Sequence, residues 1–220
     1  MDPDGEHRSF DPVILDFDGV LVDTSHCWST VIASMFASYG CDYGRTQRDY
    51  LTGRHPTAIG SVLARAIGRP ELASRLGQEA MTRGFEEVSR GVVGIPGAIE
   101  LVRALHGRRT LAVASNTPHG VVERVLDHAG IRDAFTLVVG SDDVMRPKPA
   151  PDVYVKACDL LRCHARSATA VEDSIPGIES AQTAGIHVIA VSDQMPVRST
   201  ADESYASLYD PALIARLTAW

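Results

Sequence analysis

The chain has 220 residues, of which 45% are hydrophobic and 22% charged, an ordinary composition for a globular protein that argues against disordered, collagen-like and coiled-coil classes. Its 28 acidic and 21 basic residues give a net charge of −7. Because this charge is opposite in sign to that of a typical nucleic-acid-binding surface, we expect no nucleic-acid partner. The length allows one large domain with a smaller inserted module.

The sequence carries none of the patterns typical of secreted or membrane proteins. No apolar run is long enough to span a bilayer, and residues 1–12 are polar and acidic rather than basic and then apolar. The four cysteines lack the spacing of zinc ligands or of a CxxC motif, so we expect reduced thiols. These features predict a cytoplasmic protein with no membrane partner.

Along most of the chain, short apolar runs alternate with helical patterns. The runs are each about as long as a strand and comprise residues 13–15, 110–114, 136–139, 168–171 and 187–191. Helical patterns occur at residues 97–106, 118–129, 150–162 and 175–184. This alternation predicts an α/β fold with a doubly wound, Rossmann-like parallel sheet.

Residues 25–91 interrupt the alternation between the first two predicted strands. They contain no convincing strand pattern, but helical patterns occur at residues 29–39, 58–67 and 71–88. We therefore predict an all-helical domain at residues 25–91, inserted into a core formed by residues 1–24 and 92–220.

The first predicted strand ends in two aspartates, at the edge where ligands bind in an open α/β sheet. Asp16 and Asp18 are two residues apart, so in extended backbone their carboxylates point to the same side. Such a pair suits a nucleophile beside a general acid, or a site for a divalent metal. The alternative is a pair of turn-forming aspartates before Gly19.

Two further strand ends carry groups that suit an anion. Ser115 and Asn116 precede Pro118 at a helix start, where a hydroxyl, an amide and free N–H groups suit phosphate oxygens; the alternative is a set of helix caps. Lys148 lies in a stiff, proline-rich segment, and its ammonium suits neutralising a carboxylate or a phosphoryl oxygen. Lys156, the only other lysine, is expected on the surface.

Two acidic residues follow the fourth predicted strand, residues 168–171. Glu172 and Asp173 stand directly after an apolar run, and their carboxylates could complete an oxygen-ligand shell for Mg²⁺, which usually takes only a few protein ligands. Ser174 is expected only to cap the next helix.

In this order and at these strand ends, the four segments resemble the haloacid dehalogenase superfamily of phosphatases and related phosphotransferases. The resemblance extends from about Val13 to Val191, and the insert is similar to the small helical cap of that superfamily. It implies that Asp16 is the nucleophile that forms an aspartyl-phosphate. It also implies that Asp18 is the general acid that protonates the leaving oxygen and then the base that activates water.

Further roles are implied by the same resemblance. Ser115, and with it Asn116, matches the phosphate-binding segment of the superfamily. Lys148 matches the lysine that steadies the nucleophile and the phosphoryl group.

The resemblance also implies a Mg²⁺ site. Asp173 matches a metal ligand, and Glu172 either binds the metal or lies in its outer shell. Asp16 and the backbone carbonyl of Asp18 complete the implied contacts between the protein and the metal.

Members of the superfamily differ at positions that can be compared here. Asp18 favours phosphoryl transfer, because the dehalogenating members lack an aspartate there. Residues 25–91 contain no lysine, which argues against phosphonatases that use a cap lysine as a Schiff base. A sugar-phosphate mutase of the β-phosphoglucomutase type is the runner-up, although the positions of its cap His, Lys and Arg hold Trp28, Thr52 and Pro56.

The sequence thus predicts a Mg²⁺-dependent phosphatase that acts on a small phosphorylated metabolite such as a sugar phosphate. Arg54, beside Gly53, is a candidate to bind a substrate anion; the alternative is an ordinary exposed loop. A further alternative is a non-catalytic binding protein on the same fold, which would have no chemical reason to keep the charged set. We expect a monomer or a weak homodimer.

Overall fold

The computed structural model describes residues 11–51, 58–193, 195–198 and 200–219. The chain separates into two compact units: one contains the described residues up to Asp23 and from Val93 onward, and the other is Thr24–Val92. The proposed anion contact of Arg54 lies outside the described residues. The assignment of the two units as core and cap stays a prediction.

The first unit is built on a parallel sheet. The strands of the chain are β1 (Val13–Leu15), β2 (Val22–Asp23), β3 (Val93–Gly94), β4 (Leu111–Ala114), β5 (Leu137–Val139), β6 (Thr169–Glu172), β7 (His187–Val191) and β8 (Glu203–Tyr205). Six of them form one sheet in the order β5-β4-β1-β6-β7-β8, in which all pairs are parallel. The predicted fold class, an α/β fold with a Rossmann-like parallel sheet, is therefore confirmed.

Strand β1 lies in the middle of this sheet, between β4 and β6. All three of its residues are apolar and buried, as expected for a strand that is covered on both faces. Leu15 is level with Val113 on one side and Val171 on the other, and the Asp16 N–H donates a hydrogen bond to the Val171 carbonyl at 3.0 Å. The residues that follow these three strands therefore meet at one edge of the sheet.

Helices complete both units. They are α1 (Ser25–Ser38), α2 (Arg45–Leu51), α3 (Ala58–Ala66), α4 (Ala73–Arg90), α5 (Ala98–Leu105), α6 (His119–His128), α7 (Asp152–Leu161), α8 (Ile175–Thr183), α9 (Met195–Arg198) and α10 (Pro211–Thr218). In the second unit, α1, α3 and α4 correspond to the three helical patterns, and their apolar faces bury Met35, Phe36, Leu63 and Leu76. Helix α2 was not predicted.

The core of the first unit lies between the sheet and helices that cover it. Helix α7 packs on β4 and β5, and its buried face, which includes Val153 and Tyr154, belongs to the same apolar cluster as Ile14 and Ala112. Among the described residues, no helix is both long and apolar enough to cross a bilayer.

We expect Ile14→Ala to destabilise the first unit strongly. The Ile14 side chain is fully buried in the central strand, and truncating such a side chain costs about 2 to 5 kcal/mol because a cavity remains. Val155→Ala is the matched control, since Val155 is 43% exposed and should change the free energy of unfolding by about 0.5 kcal/mol or less. Chemical denaturation measures both; equal losses in the two variants would contradict the central position of β1.

Candidate active site

Four charged side chains meet at the carboxyl edge of the sheet. Asp16 follows β1, Glu172 ends β6 and Asp173 comes next, while Lys148 comes from the loop between β5 and α7. One carboxylate oxygen from each acidic residue can be chosen so that all three lie within 4.8 Å of one another. The structure therefore brings together residues that are far apart in the sequence and that were singled out there.

The Lys148 ammonium lies between two of these carboxylates. Its Nζ donates to Asp16 Oδ1 at 2.7 Å and to Glu172 Oε1 at 2.6 Å, and only 4% of the Lys148 side chain is exposed. Burial by itself would lower the pKa of Lys148, but the charges of Asp16 and Glu172 outweigh burial and raise that pKa. Lys148 is thus held as a cation in a buried site.

Tyr154 is a member of this cluster that the sequence analysis missed. Its hydroxyl donates to Glu172 Oε1 at 2.6 Å, and Lys148 Nζ lies 5.0 Å from the centre of its ring, within the range of a cation–π contact. Burial and the negative charges of Glu172 and Asp16 raise the pKa of Tyr154 well above its ordinary value, so the hydroxyl stays a donor. The helical spacing of α7 could have placed Tyr154 on a buried face, but not beside a carboxylate.

The Glu172 carboxylate is fully buried and occupies space that a glycine leaves open. A Cβ atom on Gly177, near the start of α8, would lie 1.9 Å from Glu172 Oε2. Burial raises the pKa of Glu172 to about 7, with a further contribution from Asp16 that Lys148 and Tyr154 oppose. The ionised form of Glu172 therefore depends on the hydrogen bonds that it accepts, chiefly from Lys148 and Tyr154.

The Asp173 carboxylate lies against another glycine. A Cβ on Gly19, whose φ is +87°, would lie 1.9 Å from Asp173 Oδ2. Of the buried side-chain nitrogen and oxygen atoms in the described residues, Asp173 Oδ1 is the one without a hydrogen-bond partner. Burial raises the pKa of Asp173 to about 8, with contributions from the charges of Asp16 and Glu172.

These features fit a divalent cation. In the part of the chain that the structure describes, the three clustered carboxylates of Asp16, Glu172 and Asp173 face one ammonium, that of Lys148, so negative charge is in excess when all three are ionised. A buried acceptor without a donor, such as Asp173 Oδ1, is costly unless a ligand satisfies it. Carboxylate oxygens are the ligands that Mg²⁺ prefers, and Asp16, Glu172 and Asp173 could hold it.

Asp18 lies at the same edge but in a different environment. Asp18 is exposed, whereas Asp16 is only 7% exposed. The negative charge of Asp18 contributes to the raised pKa of Asp173. The clustered carboxylates do not include that of Asp18. A contact between its backbone carbonyl and a metal stays a prediction.

Ser115 and Asn116, which follow β4, have different partners. Ser115 is 1% exposed, and its Oγ accepts a hydrogen bond from the Thr117 N–H at 3.0 Å, which leaves its own O–H to donate. The Asn116 side chain bonds instead to the backbone of Lys148. Binding of phosphate by these two residues stays a prediction.

The start of α6 is less open to an anion than the sequence analysis expected. The His119 N–H donates to Asp142 Oδ1 at 2.7 Å, and His119 Nδ1 lies 2.9 Å from Asp143 Oδ2. Lys156, expected in solvent, donates from Nζ to the Asp143 carbonyl at 2.6 Å. The two His119 contacts tie α6 to the loop that follows β5, and the Lys156 contact ties α7 to the same loop.

A family model matches most of the chain. The family model described as haloacid dehalogenase-like hydrolase matches residues 13–191. This range includes every residue of the charged cluster.

Two curated relatives are similar along most of the chain. A bifunctional riboflavin kinase/FMN phosphatase of Arabidopsis thaliana is 28% identical over 214 residues, which cover 94% of this chain and 55% of that protein. The chain therefore spans about half the length of this relative. The fructose-1-phosphate phosphatase YqaB of Escherichia coli is 28% identical over 184 residues, which cover 81% of this chain and 95% of the relative.

A solved structure shares the fold. The crystal structure of a haloacid dehalogenase superfamily hydrolase, subfamily IA, from Geobacter sulfurreducens aligns with a TM-score of 0.75 over 94% of this chain and 95% of that chain. Its sequence identity of 23% supports similarity of fold alone.

We expect Gly19→Ala to weaken the binding of a divalent cation. The added Cβ would occupy the place of the Asp173 carboxylate and turn that carboxylate away from Asp16 and Glu172. Isothermal titration with Mg²⁺ measures the loss of affinity.

Gly130→Ala is the matched control for this experiment. Gly130 also has a positive φ, +66°, but no atom lies within 4 Å of the place that a Cβ would take there. Alanine at position 130 therefore strains the backbone as it does at position 19, but it does not overlap with a neighbouring side chain. Unchanged Mg²⁺ affinity in Gly19→Ala, or an equal loss in both variants, would contradict a cation site that includes Asp173.

Proposed function

The chain belongs to the haloacid dehalogenase-like hydrolases, and we propose that it is a Mg²⁺-dependent phosphatase that hydrolyses a small phosphorylated metabolite through an aspartyl-phosphate. The family recognised from the four motifs is confirmed, and the chain is a phosphoric monoester hydrolase, as predicted. The observation that carries the finer proposal is the buried contact of Asp16 with Lys148 beside two further carboxylates.

We propose Asp16 as the nucleophile. Lys148 holds Asp16 through Oδ1, and β1 fixes its backbone next to β6, so the carboxylate has little freedom to turn. A carboxylate that attacks phosphorus divides hydrolysis into two easier steps, transfer to the protein and hydrolysis of the acyl phosphate. Lys148 also places positive charge where the phosphoryl oxygens would arrive.

Asp18 is suited to move protons between the substrate and water. It is two residues from Asp16 and exposed, so a leaving oxygen and then a water molecule can reach it. In the proposed mechanism, Asp18 protonates the leaving oxygen in the first step. It then removes a proton from the water that hydrolyses the acyl phosphate.

Asp16, Glu172 and Asp173 would hold the metal. Bound Mg²⁺ supplies charge neutralisation for the phosphoryl oxygens, on which phosphoryl transfer depends. Ser115 would donate its O–H to another phosphoryl oxygen, since its Oγ already accepts from the Thr117 N–H.

The proposed substrate class is a sugar phosphate or a similar phosphomonoester. This choice is supported by the relative from Escherichia coli, a fructose-1-phosphate phosphatase. The oligomeric state, monomer or weak homodimer, stays a prediction.

The mutase alternative is less well supported. At the position where the resemblance implies a histidine of the mutase, Trp28 packs its ring on Gly84 and meets Phe85 edge-on, with ring centres 5.7 Å apart. Trp28 is partly buried and packs against the apolar core of the helical unit. Thr52 and Pro56, the other two positions, lie outside the described residues.

We expect Asp16→Asn to abolish phosphate release while the protein stays folded. The assay follows phosphate from a panel of phosphorylated metabolites, with Mg²⁺ and with a chelator. Asp127→Asn, which makes the same change at an exposed position on α6, should keep full activity. Turnover by Asp16→Asn would refute the nucleophile, and isomerisation of a sugar phosphate without phosphate release would favour the mutase.

We expect Asp18→Asn to lower turnover by about 100- to 10,000-fold, the usual contribution of general acid–base catalysis. A substrate whose leaving group departs without protonation can still transfer its phosphoryl group to Asp16. An amide at position 18 cannot remove a proton from water, so the acyl phosphate should then accumulate. Intact-protein mass spectrometry after mixing with p-nitrophenyl phosphate detects the added phosphoryl group. Wild-type turnover in Asp18→Asn would contradict the assigned role.

A further inference from the structure

The Asn116 side chain forms two hydrogen bonds with the backbone of one residue, Lys148. Asn116 Oδ1 accepts from the Lys148 N–H at 2.8 Å, and Asn116 Nδ2 donates to the Lys148 carbonyl at 3.2 Å. The side-chain amide of Asn116 thus forms the same pair of hydrogen bonds with the Lys148 backbone that a residue of a neighbouring β-strand could form. Asn116 and Lys148 are 32 positions apart in the sequence, so the contact joins the loop after β4 to the loop after β5.

The backbone around Lys148 has few other groups that can form hydrogen bonds. Pro147 and Pro149 flank it, and proline has no N–H to donate. Within the described chain, the Asn116 side chain is the hydrogen-bond partner of both the N–H and the carbonyl of Lys148. Without Asn116, these two backbone groups would lose their protein partners.

The position of the Lys148 ammonium depends on this backbone. Its Nζ meets Asp16 and Glu172 at 2.7 and 2.6 Å, distances at which small displacements weaken both ion pairs. The Asn116 amide, with its oxygen and nitrogen both engaged, is oriented toward Lys148. The neighbouring Ser115 hydroxyl, by contrast, retains an O–H that can donate.

We propose that Asn116 is a positioning residue that acts through Lys148, rather than a phosphate ligand as its place in the motif implied. Its role in catalysis rests on the proposed phosphatase function. Asn116 fixes the Lys148 backbone so that the ammonium meets the nucleophile Asp16. The loop that carries Ser115 and the loop that carries Lys148 are thereby held as one unit.

The chain offers a direct test that does not depend on activity, because Lys148 and Lys156 are its only lysines. In protein labelled with ¹⁵N-lysine and free of tag lysines, NMR of the side-chain ammonium groups gives at most two signals. Asn116→Ala should shift or broaden the Lys148 signal and speed its hydrogen exchange. The Lys156 signal should stay unchanged, since Lys156 bonds to the Asp143 carbonyl.

Gln182→Ala is the matched control for the NMR experiment. It also removes an amide that donates to a backbone carbonyl, from Gln182 Nε2 to Thr200 at 2.9 Å, but it contacts none of the charged cluster. Both lysine signals should be unaffected. A Lys148 signal that is the same in Asn116→Ala as in the wild type would overturn the proposal even if the protein proved to have no phosphatase activity.

Kinetics then separate positioning from direct binding of phosphate. If Asn116 positions Lys148, Asn116→Ala should lower kcat by about 100-fold, a typical cost of misplacing a catalytic group by about 1 Å, with little change in KM. In a Lys148→Met background, adding Asn116→Ala should cause no further loss. Losses that multiply, together with a raised KM, would show direct binding and overturn the proposal.

Discussion

The site depends on one buried ammonium group among three carboxylates. Lys148 Nζ is within 2.7 Å of both Asp16 and Glu172, and the Asp173 carboxylate is clustered with theirs. Burying charges is expensive unless they are paired with good geometry, and removing this cation would leave carboxylates that repel one another. The loops at the carboxyl edge of the sheet must therefore keep Lys148 in place.

The rest of the site serves this requirement. Tyr154 donates to the same Glu172 oxygen as Lys148, while Gly19 and Gly177 leave the space in which two carboxylates lie. Negative charge still exceeds positive charge, and Asp173 has a buried oxygen without a partner among the described residues. Clustered, buried carboxylates of this kind lower the stability of the fold. They are typical of sites that bind a cation and carry out catalysis.

The sequence predicted the sheet, the helical insert and the charged residues because each leaves a local pattern. Strand β1 is a wholly apolar run before Asp16, whereas β8, Glu203–Tyr205, has no such run; its backbone pairing with β7 could not be read from periodicity. The contacts of Tyr154 with Glu172, and of Asn116 with Lys148, join segments 18 and 32 positions apart. They depend on tertiary packing, so a single sequence gives the candidates but not their partners.

The central claim, that Asp16 carries the phosphoryl group, is tested most directly by chemical trapping. Asp18→Asn protein is mixed with p-nitrophenyl phosphate and Mg²⁺, quenched and treated with borohydride, which reduces an acyl phosphate to an alcohol. Peptide mass spectrometry should then find homoserine at position 16, and only after exposure to the substrate. Reduction at another residue, or p-nitrophenol release in a burst with position 16 unmodified, would contradict the claim.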